Sequence, residues 1–170
     1  LHTAYRRQRQ MCIRDRLETV IQKSVELGIS HIIPVLTSRC VSRPDAKSAA
    51  KKQARYQKIA LQAAMQSRRA IIPDVSEIIT LEKASKMLSD FDVAIFFFEG
   101  GGKSLKEILS SPAKKIAIFT GPEGGFEERE VELLAENGAV VATLGKRILR
   151  AETAPIVALA AIMFETGNLE

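Results

Sequence analysis

Cysteine and histidine are scarce in this chain. Two of each occur in 170 residues: Cys12, Cys40, His2 and His31. Neither cysteine has a CxxC partner and the histidines stand alone, so the roughly four convergent ligands of a structural zinc site are missing. There is no disulfide framework and no apolar signal region, which points to a reducing, cytoplasmic setting. Ten glycines and six prolines are too few for a collagen-like or low-complexity chain. The longest uncharged apolar run, Ala154–Phe164, is 11 residues, well short of the roughly 20 that a membrane helix needs. With 46% hydrophobic and 26% charged residues, disorder is excluded as the main state. The length fits about one domain with a real core, burying roughly 70% of its unfolded surface.

Charge is unevenly spread. The net charge is +5, and Arg6, Arg7, Arg9, Arg14 and Arg16 against Asp15 place +4 of it in the first 16 residues. The remainder, from Leu17 on, carries +1. A basic arm of this kind binds nucleic acid through phosphates. The alternative is a solvated tail or a cloning or sequencing scar. Residues 1–16 are expected to be a non-native or disordered leader.

Apolar periodicity divides the rest. Leu17–Leu27 carries a helical stripe stopped by Gly28, Ile29–Leu36 reads as a buried strand, and Val41–Ser48 reads as a loop. Ala49–Ser67 is rich in strong helix formers. Pro73 breaks that pattern, and a short strand (Val75–Ile79) and a short helix (Leu81–Leu88) follow. The second half repeats strand, loop and helix three times. The strands are Val93–Phe98, Lys115–Thr120 and Val140–Leu144; the helices are Ser104–Leu109, Glu127–Asn137 and Ala154–Phe164. That alternation predicts an α/β fold, a parallel sheet with crossover helices. Ligands of such sheets bind beyond the carboxyl ends of the strands. Here those ends are Glu99–Lys103, Gly121–Phe126 and Gly145–Glu152, all containing glycine.

Gly102-Lys103-Ser104 matches the tail of a phosphate-binding P-loop, which would make the chain an NTPase. Position 97, however, is Phe where the motif needs its first glycine, and no acid for magnesium ends the next strand. The alternative for Lys103 is a flexible strand-to-helix turn. Gly121-Pro-Glu-Gly-Gly-Phe126 holds three glycines in five residues, enough for close backbone approach to a ligand. Its Glu123 is either a catalytic or ligand-orienting group or a carboxylate favoured at the start of the next helix. In Gly145–Ala154, Arg147, Arg150 and Glu152 sit at a strand-to-helix junction. Thr153 suits an N-cap and Pro155 a first helical turn. The alternative reading is a capped loop with an Arg150–Glu152 pair. The last helix is apolar all round, so a subunit interface is expected to cover part of it.

GPEGGF followed by LGKRILRAETA resembles the RsmE family of ribosomal RNA methyltransferases, in the SPOUT superfamily. Glu18–Gly28, Pro34 with Ser38-Arg-Cys40, Lys58-Ile-Ala60, and Gln66-Ser67 with Arg69 and Pro73 fit in order and spacing, so the resemblance runs from Leu17 to Glu170. Departures stand at Met65, Arg68, Lys146, Ala151 and Pro155; at Arg68 the family has glycine. The resemblance implies a SPOUT-type C-terminal trefoil knot, a homodimer, and methylation of N3 of a uridine in 16S ribosomal RNA or the small subunit. S-adenosylmethionine is the implied cofactor, and no metal is needed.

The cofactor contacts it implies are Phe98, Gly121, Pro122, Glu123, Gly124, Gly125, Leu144, Gly145, Ile148, Leu149 and Thr153. Glu123 and Glu152 are candidate bases, and Arg147 and Arg150 candidate anion stabilisers. Gln66, Arg69 and Arg150 are implied RNA contacts, with Arg68, Arg69, Arg147 and Arg150 expected to leave free guanidinium groups for a basic patch. The family also carries a PUA-type RNA-binding domain before this one. Without it the chain is expected to bind the cofactor and methylate RNA feebly, or to be an inactive cofactor-binding fragment.

Overall fold

The computed structural model describes residues 16–40 and 43–169. Arg6, Arg7, Arg9 and Arg14 of the basic leader lie outside the described residues, as do His2 and Cys12. Arg16 is described and is helical, part of α1 (16–26). It is thus ordered with the domain, although the expected leader runs to residue 16.

The apolar stripe of α1 packs on α2 (Ala46–Gln66). Ile21 and Val25 meet Tyr56, Ala60, Ala63 and Ala64, and the alanines keep the facing surface of α2 flat. The second helix starts earlier than its composition suggested, because Asp45 caps it by accepting from the Ser48 amide at 2.8 Å. The strand expected over Ile29–Leu36 is two short ones, β1 (His31–Ile32) and β2 (Val35–Leu36). Pro34 lies between them; it has no N–H, and its carbonyl accepts from the Ile79 amide at 3.1 Å. The strand expected over Val75–Ile79 divides likewise. β3 (Asp74–Val75) pairs with β1, and β4 (Ile79–Thr80) with β2, both in parallel. Thr80 then caps α3 (Leu81–Lys86), and a 3-10 turn follows at Leu88–Asp90.

The second half forms the parallel sheet with crossover helices that was expected. β5 (Val93–Phe97) lies between β6 (Ile116–Phe119) and β7 (Ala139–Ala142), with Ile95 opposite both Ile118 and Val140. α4 (Leu105–Ile108) and α5 (Glu128–Glu136) make the two connections. β5 is buried on both faces, with alternate residues serving each. Ala94 and Phe96 pack with Leu81, Leu88, Phe126 and Leu134. Ile95 and Phe97 pack with Ala142, Ala158 and Ile162. The last two belong to α6 (Thr153–Glu165), which begins one residue early: Glu152 occupies the N-cap position without a side-chain cap, and Thr153 is the first helical residue, not the cap.

α6 turns one face inward, through Pro155, Ala158, Leu159 and Ile162. The opposite face carries Val157 and Phe164, exposed by 39% and 74%.

The C-terminus of α2 has a measurable weakness. The amide of Arg69 bonds the Ala64 carbonyl at 2.9 Å, and that of Arg68 bonds the Met65 carbonyl at 3.3 Å. This Schellman closure requires a left-handed residue, and Arg68 supplies it at φ 57°. A side chain there costs about 1–2 kcal/mol, against the roughly 0.5–1 kcal/mol that glycine loses in unfolded-chain entropy. Arg68→Gly should therefore raise stability by about 0.5–1 kcal/mol, read as a higher urea midpoint at unchanged slope.

Candidate active site

The carboxyl ends of β5, β6 and β7 release three loops at one end of the sheet. Parallel pairing makes this unavoidable, and the chain reverses direction across the sheet at β5.

The first loop does not form a phosphate cradle. A Cβ at Gly102 would lie 2.6 Å from the Val141 carbonyl oxygen, so the glycine is there for close backbone approach. Lys103 bridges to Ala142: its amide donates to Val141 at 3.0 Å and its carbonyl accepts from Thr143 at 3.1 Å. It is thus pinned along β7, which corrects the reading of a flexible turn. The start of α4 is already occupied by an acid, since Glu107 accepts from the amide and the hydroxyl of Ser104 at 2.8 and 2.7 Å. A phosphate would meet that carboxylate.

The second loop folds over an aromatic anchor. Phe126 is buried and meets Phe96 edge to face, with centroids 4.6 Å apart. A Cβ at Gly121 would lie 2.8 Å from the Phe126 ring, so only glycine lets the loop close on it. The Gly125 amide donates to the Pro122 carbonyl at 2.9 Å, and Gly125 takes φ +66°. Glu99 of the first loop lies against this turn: a Cβ on Gly125 would be 3.6 Å from its Oε1. Phe98 stacks on Phe96 at 6.1 Å.

In the third loop, Gly145 takes φ +102° with open space where a side chain would go. Its amide donates to the Thr143 hydroxyl at 3.2 Å. Leu144 packs on the α6 side of the sheet, and Ile148 is 83% exposed. The Arg150 carbonyl accepts from Thr153 and Ala154 at 2.8 and 2.9 Å, turning the chain into α6. Arg147 and Arg150 are exposed and make no ion pair among the described residues, so the Arg150–Glu152 pair of the alternative reading is not formed. Glu152 instead faces Arg16, 3.7 Å from its Nε, and Glu123 accepts from Arg16 Nη1 at 2.8 Å. Glu152 Oε2 is buried with no hydrogen-bond partner among the described residues.

Ser38 and Arg39 add a wall that the sequence reading missed. Arg39 Nη1 donates to the Gly124 carbonyl at 2.7 Å, and its stem would touch a Cβ at that glycine at 3.1 Å. Beside it, Glu130 accepts from the amide and hydroxyl of Ser38 at 2.8 and 3.0 Å and from the Glu127 amide at 2.9 Å. The Glu127-x-x-Glu130 spacing of a capping box was the available signal.

Among the expected RNA contacts, Gln66 is exposed. Arg69 is committed elsewhere, a correction to its expected free guanidinium. It donates to the carbonyls of Val25, Ile29 and Gly28 at 2.9, 2.7 and 3.3 Å and so closes the end of α1.

A family model described as an RNA methyltransferase domain matches residues 9–163. The chain belongs to this RNA methyltransferase family. It is 42% identical over 91% of its length to a Bacillus subtilis protein named ribosomal RNA small subunit methyltransferase E, of which it spans 63%. A Synechocystis protein of the same name is 37% identical over 85% of this chain and 48% of its own. A crystal structure of the Neisseria gonorrhoeae protein of that name, bound to S-adenosyl methionine, superposes with a TM-score of 0.80 at 38% identity, covering 88% of this chain and 61% of that one. The chain thus spans less than two thirds of the length of these relatives.

Glu130 gives the site an acid-sensitive tether. Burial pushes its carboxyl up, but the bonds from Glu127 and Ser38, with Arg129 nearby, outweigh this and hold it below its ordinary 4.5. Its contribution is present above that value and is lost as pH falls through the lower folded one. Glu130→Ala should cost about 2–3 kcal/mol at pH 7, since charge-assisted bonds are lost and Ser38 is orphaned. Glu130→Gln should cost less and flatten the acid limb of a stability–pH profile from urea melts.

Proposed function

We propose that this domain transfers the methyl group of S-adenosylmethionine to N3 of a uridine in small-subunit ribosomal RNA. The observation that carries the reading is the meeting of Gly121–Phe126 and Gly145–Glu152 at Arg16, beyond the ends of β6 and β7. Family membership and the cofactor-bound Neisseria relative support it.

The residues present fit such a cofactor. Backbone can approach a ligand closely at Gly125 and Gly145, both of which have φ above zero and no atom crowding the Cβ position within 3.5 Å. Phe98, Gly121–Gly125, Leu144, Gly145, Ile148, Leu149 and Thr153 would hold it.

When bound, the cofactor supplies an electrophilic methyl group on a sulfonium. In-line displacement needs alignment more than covalent help, so the loops contribute by fixing position. Glu123 or Glu152 accepts the N3 proton. Arg147 or Arg150, whose guanidinium groups face solvent, stabilises the uridine anion that forms. Gln66 and Arg150 remain as RNA contacts.

The same reading carries two structural proposals. The C-terminal part is threaded as a trefoil knot, as the family resemblance implies. A second copy covers the Val157 and Phe164 face of α6, giving a two-fold dimer in the cytoplasm.

Calorimetry with S-adenosylmethionine against ATP tests the first proposal: the former should bind and the latter should not. Gly145→Val should weaken cofactor binding at least tenfold in a folded protein, and unchanged affinity would refute the pocket. For the dimer, Phe164→Glu should yield a monomer in sedimentation at micromolar concentration. A wild-type chain that is already monomeric and stable there would contradict the interface.

A further inference from the structure

Glu123 and Glu152 belong to different loops, 29 residues apart in sequence, yet both face one guanidinium. Arg16 presents Nη1 to Glu123 at 2.8 Å and Nε to Glu152 at 3.7 Å. The contacts use two edges of one planar fork, which a single ammonium does not offer. Glu152 is the more enclosed partner, its side chain 23% exposed against 40% for Glu123. An enclosed carboxylate oxygen without a hydrogen-bond donor needs a nearby cation, and two converging carboxylates repel without one. The arginines adjacent in sequence, Arg147 and Arg150, do not serve; among the described residues the ion pairs of both carboxylates are with Arg16. Arg16 in turn is carried by α1, whose place is fixed by Ile21 and Val25 in the core, by the Glu18–Arg55 ion pair at 2.7 Å, and by Arg69 on its terminal carbonyls.

We propose that Arg16 is a positioning residue that clamps the second and third glycine loops into one pocket through Glu123 and Glu152, making the pocket's shape depend on the docking of α1. The proposal rests on the reading of these loops as the cofactor site. It assigns to Arg16 a role that none of the glycine motifs contains. Arg16 itself need not touch the reacting atoms.

Two measurements on the whole chain test it. Hydrogen exchange, read without cofactor, should show the amides of both 121–126 and 145–152 exchanging faster in Arg16→Met than in wild type. Faster exchange in one loop alone, or in neither, would overturn the clamp. Calorimetry should then give S-adenosylmethionine affinity lowered about tenfold in Arg16→Met and partly recovered in Arg16→Lys. Combining Arg16→Met with Glu152→Gln should add little to the loss from Arg16→Met. Additive losses, or undiminished affinity in Arg16→Met, would refute the positioning role. If Arg16→Met does not fold, Glu152→Gln alone carries the test: it should loosen 145–152 and weaken binding, and failure to do either refutes the clamp. A wild-type chain that does not bind S-adenosylmethionine would sink the reading of the pocket, while the exchange result still judges whether the loops are joined.

Discussion

The burial of β5 on both faces sets the rest of the domain. A strand with no solvent face must be apolar throughout, and its two neighbours must hydrogen-bond to both edges. Val93–Phe97 meets that demand, with Phe96 and Ile95 fully buried on opposite sides. Once β6 and β7 are paired to it in parallel, their carboxyl ends lie at one level. The three connecting loops then have nowhere else to emerge. The site is thus a consequence of packing before it is a matter of chemistry. Phe126 makes the connection literal: one ring fills the core against Phe96 and supports the loop that closes over it.

Packing alone leaves those loops free to move, because glycine-rich backbone gives up conformational entropy when it is held. The restraint comes from polar arms of the N-terminal half. Ser38 reaches Glu130 at the start of α5, Arg39 reaches the Gly124 carbonyl, and Arg16 reaches both loop carboxylates. Each of these contacts spans more than 80 residues of sequence. The division of labour is physical: apolar burial places the strands, and long-range charge-assisted bonds place the loops between them.

This division also explains what could be read from the sequence. The second-half strands and helices were legible because fully apolar runs alternate with amphipathic ones, and only their ends moved by one or two residues. The glycine loops were legible because glycine at a strand end has few other uses. Ile29–Leu36 was misjudged as one continuous strand, since Pro34 acts through a missing N–H that an apolar run does not reveal. Arg69 was misassigned because a cation near a helix end reads the same whether it meets carbonyls or phosphate. Arg16 was set aside with its basic neighbours, because ion pairs between distant segments have no local pattern. Lys103 resembled a phosphate ligand until the backbone of Val141 explained the glycine before it.

Consequences for RNA follow from counting which cations are already spoken for. From Leu17 onward the chain carries a net charge of only +1. Of the arginines around the loops, Arg69 is spent on three carbonyls, Arg39 on Gly124, and Arg16 on two carboxylates. Lys146, Arg147 and Arg150 remain exposed on one loop without an ion pair among the described residues. Three cations on one loop release few counterions, so their own attraction for phosphate is weak and its dependence on salt shallow. On the proposed function, a nucleotide is chosen by local fit at the third loop, where those cations stand beside the exposed side chain of Ile148. An apolar surface flanked by guanidinium groups suits an unstacked base better than a phosphate track, because a base offers a flat face as well as polar edges.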